Sequence, residues 1–253
     1  MTVSSALAAL FLALALLLPA AVVEESITHA GVKFRVVRIP ADQVKLVWKD
    51  SDGVPYRSFD RVQAAYAKQG KTIKFLMNAG IFEPGGTPSG LHIEAWQKLR
   101  PLNLADAPGN FFLKPNGVCS FGVSNLAGPF IGTCEAWQKR IEIASHKRSL
   151  GVEDWALQSG PMLLIAGQRH PTFRPDSNSK LARNGVGTDA QERFVFAITE
   201  PGQMVNFWDF AGLFLSLGCK DALFLDGDIS QMAVNPNKPI ESNQFAAIFV
   251  AAE

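Results

Sequence analysis

Short apolar runs alternate along this chain with polar stretches rich in Gly, Pro, Asn and Asp, a pattern typical of strands separated by turns. Asn116-Gly117 separates two of these runs and predicts a hairpin, because Asn-Gly tolerates positive φ at both central positions. The predicted strands are Val32–Ile39, Val44–Trp48, Thr72–Met77, Phe111–Lys114, Val118–Val123, Trp155–Gln158, Met162–Ile165, Phe194–Thr199, Ala222–Leu225 and Ala246–Val250.

Two segments have the 3.6-residue apolar period of a helix instead. One begins at Ser58, a good N-cap residue, and ends before Gly70; the other begins near Asp209 and ends at Gly218. Strands and helices do not alternate regularly, and no Pro-, Gly- or Ser-rich linker divides the chain. The order of elements predicts a single α+β domain over residues 23–253, with a mixed, strand-rich sheet covered by a few helices.

The N-terminus carries a long stretch, Ala6–Val23, without any charged or polar side chain. Pro19 and the small residues Ala20 and Ala21 precede the first acidic residue, Glu24. This predicts a signal peptide over residues 1–22 with cleavage near Ala21, and therefore an exported protein, periplasmic or secreted. The first residues include no Lys or Arg, and the stretch is close to the length of a membrane span, so an uncleaved anchor remains the alternative.

Composition narrows the function classes. The chain has 253 residues, of which 47% are hydrophobic and 19% charged, which is enough for a substantial core. Its net charge of +1 provides no strong field, so we expect neither a nucleic-acid partner nor attraction to an anionic membrane. Cys119, Cys134 and Cys219 lack a metal-ligand spacing; either Cys119 and Cys134 pair across a loop, or all three are buried thiols.

Polar residues next to glycine follow or precede several of the predicted strands, where binding sites are commonly built. These clusters are Asn78 to Gly80, Ser159-Gly160, Arg183 to Gly187, and Asp226 to Ser230. They form one site only if the fold brings them to one rim, and their order along the chain leaves that open. Each also has a purely local interpretation as a turn residue or a surface ion pair.

The residue types in these clusters suit a phosphorylated or heavily hydroxylated ligand. Arg183 offers a planar fork of donors for phosphate, and Asn78 and Asn184 can donate to and accept from sugar hydroxyls. Asp226 can bind hydroxyls, stabilise positive charge, or act as nucleophile or base. His170, in a loop with Pro171, is either an acid/base group or substrate contact or a structural histidine.

The sequence lacks the motifs that mark several other kinds of catalytic or cofactor site. The chain has no Walker A, G-x-G-x-x-G, G-x-S-x-G or H-E-x-x-H pattern, so we expect no cofactor. Asp226 and Asp228 can contribute to a divalent-cation shell but lack the EF-hand series of ligands, and no metal is assigned. His92 and Glu94 alternate with apolar residues and share one strand face, either in the pocket wall or on a solvated face.

Five motifs taken together resemble the phosphodiester glycosidase family, and more closely its bacterial, exported branch than its lysosomal branch. They are Asn78-Ala-Gly-Ile-Phe82, Gly109-Asn-Phe-Phe-Leu-Lys-Pro-Asn-Gly117, Gln158-Ser-Gly-Pro-Met162, Arg183-Asn-Gly-Val-Gly187 and Leu225-Asp-Gly-Asp-Ile-Ser230. The resemblance runs from about Lys33 to Val250. Two positions depart from the lysosomal pattern: Asn184 stands where that branch has Thr, and Asp228 where it has Gly.

The resemblance implies hydrolysis of the glycosidic bond of a sugar-1-phosphodiester in an envelope or exopolysaccharide glycan, releasing sugar and a phosphomonoester. Motif matching carries over Asn78, Ser159, Gly160, Arg183, Asp226, Gly227 and Ser230. We expect Arg183, with backbone N–H groups near Gly185 and Gly187, to hold the phosphate. Asp226 or Glu94 would activate water or stabilise an oxocarbenium-like transition state.

The remaining predicted site residues, Asn184, Asp228 and His170, are expected to contact substrate along with Asn78, Ser159, Gly160 and Ser230. Asp228 would repel an anionic ligand unless Arg183 or a cation offsets its charge. The alternatives are a non-catalytic periplasmic carbohydrate- or envelope-binding protein on the same scaffold, and a phosphodiesterase that cleaves the P–O bond.

Overall fold

The computed structural model describes residues 22–122, 128–146 and 154–253. Within them the helices are α1 (Phe59–Lys68), α2 (Cys134–His146) and α3 (Phe207–Ser216), with short 3-10 turns at Ala41–Gln43 and Asn110–Phe112. The strands are β1 (Glu24–His29), β2 (Val32–Pro40), β3 (Lys45–Val47), β4 (Ile73–Asn78), β5 (Phe82–Glu83), β6 (Thr87–Pro88), β7 (His92–Glu94), β8 (Gln97–Arg100), β9 (Gly117–Phe121), β10 (Phe130–Thr133), β11 (Trp155–Ser159), β12 (Met162–Ile165), β13 (Gln168–Arg169), β14 (Asn184–Thr188), β15 (Arg193–Thr199), β16 (Ala222–Asp226), β17 (Met232–Val234) and β18 (Ile248–Ala252).

The strands of the described chain form three larger sheets and one small hairpin. Their orders are β1-β2-β15-β14-β16-β12-β13, β10-β9-β11-β7-β8 and β17-β4-β18-β3, with β5 paired to β6. The α+β class is therefore confirmed. The expected single mixed sheet is replaced by several sheets whose described pairs run antiparallel.

The main core lies where the three sheets face one another. Phe121 from the five-stranded sheet, Phe194 and Phe196 from the seven-stranded sheet, and Phe249 from the four-stranded sheet pack in one aromatic cluster. Ring centroids in it are 5.1–6.3 Å apart, the range of favourable edge and offset contacts. A second cluster packs α3 against the outer face of the seven-stranded sheet. The three sheets are thus held together at a common centre, which fixes their ends relative to one another.

Two of the three helices follow the predicted pattern closely. In α1 the buried residues Phe59, Val62 and Tyr66 recur at helical spacing. In α3 the N-cap is Asn206, whose side chain accepts from Asp209 N at 2.8 Å, so this helix begins two residues before the predicted start. No helix was predicted over α2.

The predicted hairpin at Asn116-Gly117 is wrong. Residues 110–112 form a 3-10 turn, and β9 pairs with β10 and β11 instead. Asn116 is buried: its Nδ2 donates to Phe111 O at 2.8 Å, and its Oδ1 accepts from the Cys134 thiol at 3.3 Å. Neither Asn116 nor Gly117 has the positive φ on which the hairpin prediction rested, and the Asn116 side chain instead joins two buried segments.

Residues 1–21 of the predicted signal peptide, which spans residues 1–22, lie outside the described residues. So does Val123, the last residue of one predicted strand. Val22 is described and buried, with its carbonyl accepting from Asn235 Nδ2 at 2.9 Å. None of the helices in the described ranges has the length and apolar character required to cross a membrane.

Candidate active site

Four of the predicted polar residues lie at strand ends that belong to three different sheets. Asn78 ends β4 in the four-stranded sheet, and Ser159 ends β11 in the five-stranded sheet. In the seven-stranded sheet, Asn184 at the start of β14 pairs directly with Asp226 at the end of β16. The contacts described below join all four, so the fold brings together clusters that are far apart in sequence.

Asn184 is at the centre of this group and is fully buried. Its Nδ2 donates to Asn78 O at 3.0 Å and lies 3.1 Å from Asn78 Oδ1, and its Oδ1 accepts from Asp226 N at 2.7 Å. Asn78 Oδ1 also accepts from Gln231 N at 2.8 Å. The two amide side chains therefore hold the Asp226 backbone in place through a buried, well-satisfied network.

The Asp226 carboxyl group is half-buried beside these amides. Its Oδ1 accepts from Gly227 N at 2.7 Å, and its Oδ2 lies 3.5 Å from Asn78 Nδ2. Burial raises its pKa to about 6, against the opposing effect of these two hydrogen bonds, and the charge of Asp228 raises it further. A carboxyl that titrates near neutrality and keeps some solvent contact is suited to accept a proton during a reaction.

Ser159 and Gly160 hold the site together rather than line it. The Ser159 hydroxyl donates to Leu225 O at 3.1 Å and lies 3.4 Å from Ile81 N, so both of its hydrogen-bonding roles are used within the protein. A Cβ on Gly160 would lie 2.6 Å from the Asn116 Cβ. The substrate contacts predicted for these two residues stay a prediction, which their buried positions do not favour.

Arg183, next to Asn184, is buried, with 1% of its surface exposed. Its Nε donates to Val205 O at 2.8 Å and its Nη2 to Ser179 O at 3.2 Å, and its guanidinium carbon lies 3.6 Å from the Phe207 ring centroid. Its Nη1 has no hydrogen-bond partner among the described residues. A buried donor left over in this way suggests a position for a ligand or a water molecule.

Asp228 is the acidic group next to Arg183. Burial lowers the pKa of Arg183 to about 10, and the charge of Asp228 acts in the opposite direction. Asp228 is exposed. Its charge acts on both Asp226 and Arg183, so one guanidinium lies near two carboxyl groups before any ligand enters.

Ser230, the last residue of the same loop, has a buried hydroxyl oxygen without a hydrogen-bond partner in the described part of the chain. Its backbone N–H donates to Gly227 O at 2.9 Å. The backbone therefore closes a tight turn after Asp226, while the hydroxyl keeps its hydrogen-bonding capacity.

The expectation that N–H groups near Gly185 and Gly187 hold a phosphate has no support from the strand pairing. Both glycines lie inside β14, which pairs with β15 on one side and β16 on the other. A Cβ on Gly187 would lie 2.8 Å from Cys219 Sγ and 2.9 Å from Phe214 Cδ1. These positions require glycine because α3 packs closely on the sheet.

Glu94 does not contact the group around Asp226. Its Oε2 accepts from Trp48 N at 3.0 Å and lies 3.4 Å from His92 Nε2, which confirms that His92 and Glu94 share a strand face. In the register of β7 with β11, His92 pairs with Leu157, so Glu94 lies toward the start of β11, away from Ser159. The catalytic role considered for Glu94 therefore has no geometric support.

His170 is buried and stacks on Phe173 at 4.8 Å, and Phe173 stacks on Phe207 at 4.9 Å. The His170 Nδ1 lies 3.0 Å from Thr172 Oγ1, and burial lowers the pKa of the imidazole. The ring therefore supports the aromatic stack on which Arg183 rests. Its predicted role as an acid/base group or substrate contact is untested, and this packing favours the structural interpretation.

Sequence reasoning missed two supporting residues, Phe207 and Gln231. Phe207 lies under the Arg183 guanidinium, and Gln231 bonds to Asn78 through both its backbone N–H and its carbonyl. Neither lies in a recognisable pattern, because both act on partners more than twenty residues away.

Cysteine and metal chemistry were also considered from the sequence. No disulfide joins Cys119 to Cys134; the Cys134 thiol lies 3.4 Å from Gln158 Nε2, and burial raises its pKa to about 12. Across the described ranges, no three His, Cys, Asp or Glu side chains are grouped so that they could hold a metal ion.

The fold and this cluster define a family. The sequence model of the phosphodiester glycosidases matches residues 71–250, and the chain belongs to that family. The matched region contains all four strand ends of the site and excludes β1, β2 and β3.

Individual relatives agree with this assignment. The uncharacterised protein YigE of Escherichia coli K12 is 34% identical over 192 residues, which cover 76% of this chain and 69% of YigE. The catalytic domain of zebrafish N-acetylglucosamine-1-phosphodiester alpha-N-acetylglucosaminidase, auto-inhibited by its pro-peptide, superposes with a TM-score of 0.62 at 14% identity, covering 92% of this chain and 82% of that one. A candidate exported protein of Burkholderia pseudomallei K96243 superposes with a TM-score of 0.50 at 11% identity, covering 87% and 74%.

Proposed function

We propose that this protein is an exported hydrolase that cleaves the glycosidic bond of a sugar-1-phosphodiester in an envelope or exopolysaccharide glycan. The observation that carries the proposal is the half-buried Asp226 carboxyl, with a pKa of about 6, held between Asn78 and the Gly227 N–H. The partly unpaired Arg183 lies within electrostatic range of Asp228 in the loop that follows Asp226. Family membership supports the reaction class. The apolar leader and the likeness to a candidate exported protein support export.

In the proposed reaction, water attacks the anomeric carbon as the bond from that carbon to the phosphate oxygen breaks. The ionised Asp226 carboxylate accepts the proton of the attacking water and stabilises the positive charge that develops on the sugar. The bond's electron pair leaves on the phosphate oxygen, giving a free sugar and a phosphomonoester. The Nη1 of Arg183, which has no partner among the described residues, provides a donor for that phosphate. The negative charge of Asp228 partly offsets the positive charge of Arg183.

The experiment that tests this proposal is turnover of a panel of sugar-1-phosphodiesters by the purified protein, beside Asp226→Asn. We expect release of reducing sugar that Asp226→Asn lowers by at least about a hundredfold, the usual contribution of a positioned acid or base. Asp52→Asn is the matched control and should keep full activity. Asp52 lies in an exposed turn, where its backbone N–H donates to Asp50 Oδ1, and its carboxylate has no hydrogen-bond partner among the described residues. Full turnover by a folded Asp226→Asn protein would reject the assigned role.

Three further measurements separate the alternative functions and test for a metal requirement. In ¹⁸O-labelled water, label in the released sugar means C–O cleavage, whereas label in the phosphate means a phosphodiesterase. Inhibition by EDTA, restored by a divalent cation, would establish a metal requirement around Asp226 and Asp228. Saturable glycan binding without any product would favour the carbohydrate-binding alternative.

A further inference from the structure

Two cavities adjoin each other beside the loop that follows Asp226. The inner cavity, of about 410 Å³, is lined by Thr199, Asp228, Ser230 and Asn243 among others. The outer cavity, of about 770 Å³, lies at the start of α1 and is lined by residues that include Arg57, Arg61, Asp60, Glu241 and Ser242. Ile240 lines both cavities, and the neighbours Ser58 and Phe59 line one each.

The inner cavity lies next to the candidate active site, because residues that adjoin or contact the site form part of its wall. Asp228 and Ser230 belong to the loop after β16, and Gln231, which also lines the cavity, bonds to Asn78. The Ser230 hydroxyl is one of the buried side-chain groups without a partner in the described chain. A group of the substrate next to the cleaved bond would therefore lie close to this cavity, whose wall contains the unused, buried Ser230 hydroxyl.

The outer cavity contains two arginines that lack protein partners. Neither Arg57 nor Arg61 forms a side-chain hydrogen bond or ion pair with the described residues. Arg57 has φ of 68°, and Ser58 N donates to Tyr56 O at 2.8 Å around it, the pattern of a strained γ-turn. Strain of this kind persists only where surrounding contacts enforce it, and it is concentrated at functional sites.

Surrounding contacts do enforce the position of Arg57. Its carbonyl accepts from Phe245 N at 2.7 Å, and its guanidinium lies against Gly86, where a Cβ would take the same space. The side chain is thus held in place without an acidic partner. A fixed and unpaired guanidinium is prepared for a ligand acceptor.

The charges on the two walls indicate what kind of ligand fits. Arg35, which pairs with Glu24, lines the inner cavity, and Arg57 and Arg61 line the outer one. The same two cavities are lined by four carboxylates, those of Asp60, Glu200, Asp228 and Glu241. A polyanion would be repelled by these groups, and a lipid chain would leave them without partners. A polyhydroxylated neutral chain can accept from the arginines, donate to the carboxylates, and pack its C–H faces on Phe59 and Ile240.

We propose that the two cavities form one groove that binds a neutral glycan extending beyond the cleaved bond, with Arg57 and Arg61 as its far contacts. This inference rests on the proposed function and specifies the substrate: a phosphodiester borne by a neutral oligo- or polysaccharide. The groove makes the enzyme selective for chain length, since only a longer glycan reaches the outer cavity.

The test compares four phosphodiesters of N-acetylglucosamine-1-phosphate, esterified to methanol, a neutral hexasaccharide, dodecanol or a glycerol-phosphate trimer. We expect kcat/KM about tenfold higher for the hexasaccharide ester than for the methyl ester, the value of one charge-assisted hydrogen bond. Arg61→Ala should remove most of that gain and leave the methyl ester within about twofold of wild type. Lys68→Ala, at the other end of α1, is the matched control and should keep the gain.

Direct binding of the free hexasaccharide, measured by calorimetry, separates the two proposals. If no ester is turned over but the hexasaccharide binds and Arg61→Ala weakens it, the glycosidase proposal fails and the groove stands. Equal kcat/KM for the methyl and hexasaccharide esters, or a gain that Arg61→Ala and Arg57→Ala both leave intact, would overturn the groove. A larger gain with dodecanol or the glycerol-phosphate trimer would overturn its neutral, polyhydroxylated ligand.

Discussion

At the scale of single residues, the site depends on how much of each polar group the fold leaves unused. Asn184 and Ser159 spend their hydrogen bonds inside the protein, whereas the Ser230 hydroxyl and one nitrogen of Arg183 have no partner among the described residues. Asp226 accepts two hydrogen bonds but keeps some solvent contact. Buried polar groups are normally satisfied. The unsatisfied ones therefore mark the surface that a ligand would complete, and the satisfied ones mark its support.

Asp226 should make the stability of the protein depend on pH. Its folded pKa of about 6 exceeds the ordinary 3.8, so the folded state binds more protons between these values and the free energy of unfolding falls as pH rises through them. Asp226→Asn should remove this loss and be more stable than wild type above pH 6 by about 2 kcal/mol, at about 1.4 kcal/mol per pKa unit with some screening by solvent. Below pH 4 the two proteins should be equally stable.

Urea unfolding at pH 3.5, 5 and 7 measures this difference directly. The same group should give the hydrolysis reaction an acid limb, with kcat/KM rising with pH through about 6 because the carboxylate is the active form. A stability difference that does not vary with pH would contradict the raised pKa.

Arg183→Lys should impair ligand binding more than it impairs folding. Lysine keeps the charge but cannot donate to Val205 O and Ser179 O while leaving a third fixed donor free. We expect KM for a sugar-1-phosphodiester to rise about tenfold or more, the effect of losing a charge-assisted hydrogen bond. Arg169→Lys is a matched control, since Arg169 donates to Trp208 O and stacks on the Trp208 ring away from the site; steady-state kinetics should show its KM unchanged.

At the scale of elements, β14 is the strand that connects the site to the core. Its first residue, Asn184, holds Asp226, while two glycines further along let α3 approach the sheet closely. The same five-residue strand therefore serves both chemistry and packing. A substitution that disturbs the packing of these glycines should therefore shift the β14 backbone and, with it, Asn184 in the site.

Gly187→Ala should destabilise the protein, because the new Cβ would lie 2.8 Å from Cys219 Sγ and 2.9 Å from Phe214 Cδ1. Overpacking of this kind costs about 1–3 kcal/mol. Gly227→Ala is the control for stability, since its Cβ would meet only Ala182 O at 3.8 Å. Thermal unfolding of the two variants should show a lower Tm for Gly187→Ala alone; equal melting temperatures would mean that α3 shifts at no cost.

At the scale of the whole molecule, the site exists because three sheets share one core. Phe121, Phe196 and Phe249 come from the three different sheets and pack in one cluster. This common centre sets where β4, β11 and β16 end relative to one another. A groove of two adjoining cavities then leads away from that meeting point, so the extent of a substrate is a property of the assembled fold.

The sequence by itself determined about half of the strands, two of the helices, the α+β class and the polar residues that contact one another in the site, because apolar period and turn residues act over a few positions. Only the tertiary structure decided that Asn78, Asn184 and Asp226 meet, since they are 42 to 148 residues apart. It also decided that Glu94 lies elsewhere and that Asn116 is buried. Burial and long-range hydrogen bonds set the pKa of Asp226 and the free donor of Arg183, and neither quantity is encoded by local pattern.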